Sequence, residues 1–254
     1  MAASGGSMRE WPVPGESLIR HGWTPGHLTL PAVGGPGPRI VVLHDWWGLD
    51  AQARSVVDRL AAEGHPAFAP DLYQGRLATD AEEAARLAHR LESADLTAEL
   101  VEAVELVRAL PRGSASPSAG SLSPAAGSVA VIGLGFGGAL ALYLASRHPD
   151  VRAVVCYDGF PPPEATFEWA GAPAAVVGHA CQPEFQRAGQ VQAALRGAGV
   201  DASMFLYPSA PHGFFDQTRP DNHDRAAAEL SWRRTIRFLR ERSGTPSAPG
   251  RFTA

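Results

Sequence analysis

The stretch "VAVIGLGFGGALALYLASR", Val129 to Arg147, runs an apolar segment into a turn of glycines and then into a helical pattern. The apolar segment is too short and too β-branched for a helix, and alanine and leucine then recur at helical spacing. The glycines let the chain reverse sharply between the two. A strand that hands directly into a helix cannot pair with its successor through a hairpin. It needs a parallel partner reached by a crossover, and a parallel sheet must be covered on both faces. No other stretch constrains the fold as strongly.

The rest of the chain repeats the alternation. "RIVVL" is a buried strand, and "AQARSVVDRLAAEG" is a helix whose last glycine marks its end. "HPAFAPDLY" is a strand running into a loop; "DAEEAARLAHRLE" and "LTAELVEAVELVRAL" are helices. "VRAVVCYDG", "APAAVVGHA" and "VDASMFLYP" are further strands, "PEFQRAGQVQAALRGAG" is a helix, and "DRAAAELSWRRTIRFLRER" is a long amphipathic helix near the end. Together they predict one α/β domain over residues 17–243, a mostly parallel central sheet with helices on both faces. Residues 1–16 read as a flexible arm and 244–254 as a flexible tail. Residues 111–128, rich in Ser, Pro, Ala and Gly, read as a flexible insertion into that domain.

Composition excludes several chemistries. All 22 basic side chains other than histidine are arginine, so neither a Schiff-base lysine nor a phosphate-loop lysine is available. The net charge of −4 provides no field for nucleic acid or an anionic membrane. Cys156 and Cys181 each follow an apolar run, as buried free thiols do. With no signal-peptide pattern and no apolar run of membrane-spanning length, a cytoplasmic protein is expected.

In a sheet of this kind the site forms at the carboxyl ends of the strands. Four loops there carry Asp45, Gly135, Glu184 and His212. "GLGFG" has the shape of a nucleophile elbow, the turn in which a Ser or Cys stands between flanking glycines. Its middle residue is Gly135, and the order elbow, acid, histidine is that of the α/β-hydrolases.

In "VVLHDWWGLD", "APDLYQGR", "GSVAVIGLGFGGALAL", "GHACQPEF", "YPSAPHGFFD" and "SWRRTIRFL" the chain resembles the dienelactone hydrolase family over nearly the whole domain. The resemblance implies an α/β-hydrolase fold and a small ester, lactone or other carbonyl compound as ligand, without a cofactor or metal. Family members use a cysteine or serine at the elbow, activated by a histidine and an aspartate, with a glutamate holding the resting thiol. Carried over, His212 matches the histidine, Glu184 the aspartate and Asp45 the glutamate, while Gly135 falls at the nucleophile. Asp158, after "VVCY", is the alternative acid. Arg76 stands one residue from one of the family's two carboxylate-gripping arginines; the other is replaced by Asp216, so dienelactone itself is not the expected substrate.

The backbone parts of such a site need no side chain at 135. The N–H groups of Phe136 and Trp46 are the expected oxyanion hole, and Trp47 an expected substrate contact. Cys181 as a displaced nucleophile and a metal site of His44, His179, His212 and Asp45 are both disfavoured: nothing lowers the thiol pKa, and no ligand spacing supports the metal. Three readings stay open: a non-covalent acid/base enzyme (cyclase, isomerase, lyase or water-activating hydrolase), an ordinary ester or lactone hydrolase, and an inactive protein that binds a ligand or partner. A cysteine restored at 135 is expected to create esterase activity if the rest of the site is intact.

Overall fold

The structure, a computed structural model, describes residues 25–35, 37–93, 96–110, 128–162 and 175–242. The expected arm at 1–16, the tail at 244–254 and nearly all of the 111–128 insertion lie outside the described residues.

Seven strands form one sheet: β1 (Gly26–Thr29), β2 (Arg39–Leu43), β3 (Ala67–Pro70), β4 (Val129–Leu134), β5 (Val151–Tyr157), β6 (Ala175–Cys181) and β7 (Asp201–Tyr207). Their order is β1-β3-β2-β4-β5-β6-β7. All pairs are parallel except β1 with β3. The helices are α1 (Ala51–Ala62), α2 (Ala81–Ser93), α3 (Leu96–Ala109), α4 (Gly137–Arg147), α5 (Phe185–Gly197) and α6 (Arg225–Glu241). This is the α/β-hydrolase architecture predicted above; the antiparallel β1 is the one strand the apolar pattern left unmarked.

Alternation along the strands divides the interior in two. Ile40 and Val42 of β2 join a core with Val56, Val57 and Leu60 of α1 and Trp232 and Ile236 of α6. Val41 and Leu43 point the other way, toward Val104 and Val107 of α3, Leu140 and Leu144 of α4, and Val191 of α5. Every residue of β2, β4 and β6 is buried, as a strand covered on both faces requires. No helix among the described residues is long and apolar enough to cross a membrane.

Local chemistry fixes where the helices begin. The Asp50 carboxylate accepts from the Ala53 N–H at 3.0 Å and caps α1; Asp224 does the same for α6 through Ala227, also at 3.0 Å. Asp50→Ala is expected to cost about 1 kcal/mol, read as a lowered urea midpoint at unchanged slope. An unchanged midpoint would show that the tertiary contacts of α1 hold its first turn without the cap.

Candidate active site

Asp45, Gly135, Asp158, Glu184 and His212 stand just beyond the carboxyl ends of parallel strands. Asp45 follows β2, Gly135 follows β4, Asp158 follows β5, Glu184 follows β6 and His212 lies in the loop after β7. The parallel pairing therefore collects, on one edge, side chains that are up to 167 positions apart in the chain (from Asp45 to His212).

The turn between β4 and α4 has Gly135 at φ +47, in the left-handed region. Its N–H donates to the Tyr157 carbonyl at 2.8 Å, and its own carbonyl accepts from the Gly138 N–H at 2.8 Å. The space beside its Cα is filled. A Cβ built at 135 would fall on the carboxyl group of Asp45. Asp45 Oδ1 accepts two backbone N–H groups, from Trp46 at 2.7 Å and from Phe136 at 2.8 Å. These are the two amides that the sequence assigns to an oxyanion hole, and they converge on a single oxygen. That oxygen belongs to the protein. Oδ2 of the same carboxylate has no hydrogen bond among the described residues.

Electrostatics explain why the carboxylate stays there. Phe136 begins α4 without a side-chain cap of its own, so its N–H and the positive end of the helix are open to an anion. Asp45 fills that need from another loop. Burial pushes its carboxyl above the usual range, while the Phe136 and Trp46 amides and nearby His212 pull it back only in part.

His212 is more than half exposed, and its Nδ1 lies 3.7 Å from Asp158 Oδ2. Asp158 is buried and is itself held: Oδ1 accepts from the Cys181 N–H at 2.8 Å, and Oδ2 from the Gly213 N–H at 3.4 Å. Its backbone is left-handed at φ +54, unusual for a residue with a side chain and tolerated best by Asp and Asn. Burial raises the Asp158 carboxyl against the opposing pull of these amides and of His212. This geometry corrects the expectation that Glu184 pairs with His212. Glu184 instead approaches the Arg187 guanidinium at 3.8 Å, one turn on along α5, and the alternative acid, Asp158, holds the place beside the histidine. A strand end reading "YDG" was the available signal, because Asp followed by Gly suits a left-handed step.

Other candidates separate clearly. Cys181 is fully buried; its Sγ lies 3.7 Å from His212 Nδ1, and burial together with Asp158 pushes the thiol well up, away from a reactive thiolate. Asp158, Cys181 and His212 bring one ligand atom each within 4.8 Å of one another, the metal-compatible cluster nearest the elbow among the described residues. A thiol this reluctant to ionise is a poor member of such a set. His179 is a core histidine, bonded to the Tyr207 hydroxyl at 2.9 Å and the Thr235 hydroxyl at 3.0 Å; burial holds its pKa down at about 3. His44 binds the Asp45 carbonyl at 2.7 Å. Arg76 is exposed and faces Glu83 at 3.8 Å. Trp46 and Trp47 meet edge to face at 5.2 Å, and Arg219 lies over the Trp47 ring at 3.9 Å. Sequence reasoning passed over Arg219, which reaches Trp47 from the His212 loop.

Residues 25–243 match the model of the dienelactone hydrolase family, which covers every strand and helix described above. The chain belongs to the dienelactone hydrolase family. It is 29% identical over 224 residues to the protein usf of Aquifex pyrophilus, covering 85% of this chain and 92% of that one. It is 28% identical over 248 residues to a carboxymethylenebutenolidase of Rhodococcus opacus, with 90% and 92% coverage. Among solved structures it resembles a dienelactone hydrolase-like promiscuous phosphotriesterase from metagenomic libraries, with a TM-score of 0.67, 23% identity, and 81% and 87% of the two chains covered. That last likeness concerns the fold. Within this dienelactone hydrolase family member, the elbow turn after β4 and the histidine loop after β7 lie along the same edge of the sheet, with the Asp45 carboxylate held by the Trp46 and Phe136 amides.

Proposed function

We propose that this chain is a hydrolase-fold enzyme acting on a small ester, lactone or related carbonyl compound by acid–base chemistry. No acyl intermediate forms on an elbow side chain. One observation carries the reading: the Asp45 carboxylate sits against Gly135 on the Trp46 and Phe136 amides. Gly135 stands where the family resemblance places the nucleophile, and it contributes only its backbone.

Two proton-handling groups then stand along the same edge of the sheet. His212, oriented by Asp158, takes a proton from water or from a carbon next to a carbonyl. Asp45 is the second group. Because burial raises its carboxyl, a proton neutralises it more readily than an ordinary aspartate. A neutral Asp45 holds the two amides less strongly and can yield them to a substrate oxygen. The Trp46 and Phe136 N–H groups then stabilise charge developing on that oxygen. The same filled amide pair also favours a second reading, in which the protein binds a ligand without turning it over.

A panel of p-nitrophenyl esters and small lactones, followed from the first milliseconds, tests the proposal. Product should appear linearly from the origin, because no acyl-enzyme accumulates. A burst equal to the enzyme concentration would show a covalent acyl-enzyme and overturn it. Complete inertness toward the panel would favour the binding-only reading.

A further inference from the structure

In its ionised form the Asp45 carboxylate is also arranged for a reaction at saturated carbon, and the inference that follows stands independently of the function proposed above. Its two oxygens are inequivalent. Oδ1 is fixed by two N–H donors, and Oδ2 has no hydrogen bond among the described residues. A carboxylate held by one oxygen presents the other as a nucleophile of fixed direction. We propose that Asp45 attacks saturated carbon carrying a good leaving anion, with simple alkyl halides as the substrate class, and so catalyses their hydrolysis to alcohols.

The choice of saturated carbon over a carbonyl follows from where the amides are. While Asp45 is ionised, the Trp46 and Phe136 N–H groups hold its Oδ1 and are not available to an oxyanion on a carbonyl substrate. Attack at saturated carbon creates no such oxyanion. The Oδ2–carbon bond forms as the carbon–halogen bond breaks, and halide leaves with the electron pair. Trp46 and Trp47, the two residues that follow Asp45, are half-buried, and their indole N–H groups are the donors assigned to the departing halide.

The product of that step is an alkyl ester of Asp45. Its carbonyl oxygen is Oδ1, already in the amide pair. Water then attacks the Asp45 carboxyl carbon and gives its proton to His212, and the oxyanion forms on Oδ1, where two N–H donors already point. Collapse breaks the bond from the carboxyl carbon to Oδ2, and His212 returns the proton to the departing alkoxide. The balance is alkyl halide plus water giving alcohol plus hydrogen halide. No oxidant, metal or cofactor enters.

The elbow explains why this is feasible here. A side chain at 135 would fall on the Asp45 carboxyl group; glycine leaves the carboxylate room. His212 stands on a separate loop beyond the carboxyl end of β7, at the same edge of the sheet as Asp45.

The test uses the full chain with 1-bromobutane and bromoethane, read by bromide release. Wild type is expected to release bromide over many turnovers, and Asp45→Asn to fall to the uncatalysed background. His212→Ala should form the ester but not hydrolyse it, so mass spectrometry should find an alkyl group on the peptide containing Asp45. In a single turnover in oxygen-18 water, the label should enter the Asp45 carboxylate and the first alcohol should be unlabelled. Absence of bromide release from wild type with both substrates would overturn the proposal. Label in the first alcohol would also overturn it, because Asp45 would then be acting on water and not on carbon. An adduct on any other residue would do the same. The ester panel described above, run on the same preparation, keeps failure here distinct from failure of the acid–base reading.

Discussion

Gly135→Cys is expected to destabilise the protein by roughly 3 kcal/mol or more and to yield no esterase. The cost has two sources. A residue with a side chain must adopt the left-handed backbone at φ +47, and its Cβ must displace the Asp45 carboxyl group. Backbone strain of this kind costs about 1–3 kcal/mol, and overpacking about the same again. Thermal unfolding should move down by about 10 °C for a domain of this size. This revises the sequence-based expectation that a cysteine at 135 restores an esterase. The space above the elbow is occupied, and so are the amides that would hold a substrate oxygen.

The double variant Gly135→Cys with Asp45→Ala removes both obstacles. It vacates the amide pair and leaves room for a thiol facing His212. It should recover part of the stability lost in the single variant and show an acyl-enzyme burst with p-nitrophenyl acetate. A double variant that folds but shows no burst would mean that His212 and the elbow are not aligned for acyl transfer.

The second large effect concerns the histidine. With the best substrate from the ester panel, His212→Ala is expected to lower kcat by about 100- to 10,000-fold, the range for losing a general base. Asp158→Asn should weaken kcat in the same direction, because it removes the charge beside Nδ1. Glu184→Gln should leave kcat within about threefold, since that carboxylate approaches Arg187. A large loss in Glu184→Gln with an unaffected Asp158→Asn would reverse the assignment of the acid.

The pH dependence has a definite sign. Burial raises the carboxyls of Asp45 and Asp158 above the ordinary aspartate value of 3.8, so the native state binds protons more tightly than the unfolded chain. Their contribution to stability therefore falls as pH rises from the ordinary value through the raised one, and returns on acidification. Asp45→Asn keeps an acceptor for the two amides and removes one of these titrations. Its unfolding free energy should be flatter with pH across that window.

Much of the fold was legible because it rests on local pattern. The apolar runs that became β2, β4, β5, β6 and β7 are each bounded by glycine, proline or a helical pattern, so their ends announce themselves. β1 did not, because Gly26–Thr29 holds a single large apolar residue, Leu28, and gains its strand character from pairing with β3. At the site, the loops bearing Asp45, Gly135 and His212 could be named from chain order and the strand ends. The partner of His212 could not. Asp158 and Glu184 stand at neighbouring strand ends, and only the paths of those loops in space place one beside the imidazole and turn the other toward Arg187.

The amino-acid sequence by itself determined the α/β class, the parallel sheet and the absence of a side chain at 135. These follow from hydrophobic period, glycine positions and residue identity, which act over a few neighbours. Only the tertiary structure decided what fills the space that Gly135 leaves. Asp45 and Phe136 are 91 positions apart, and a strong charge-assisted hydrogen bond joins them because β2 and β4 pair in parallel and end side by side. A carboxylate lodged on two amides depends on that meeting of strand ends, which no local pattern encodes.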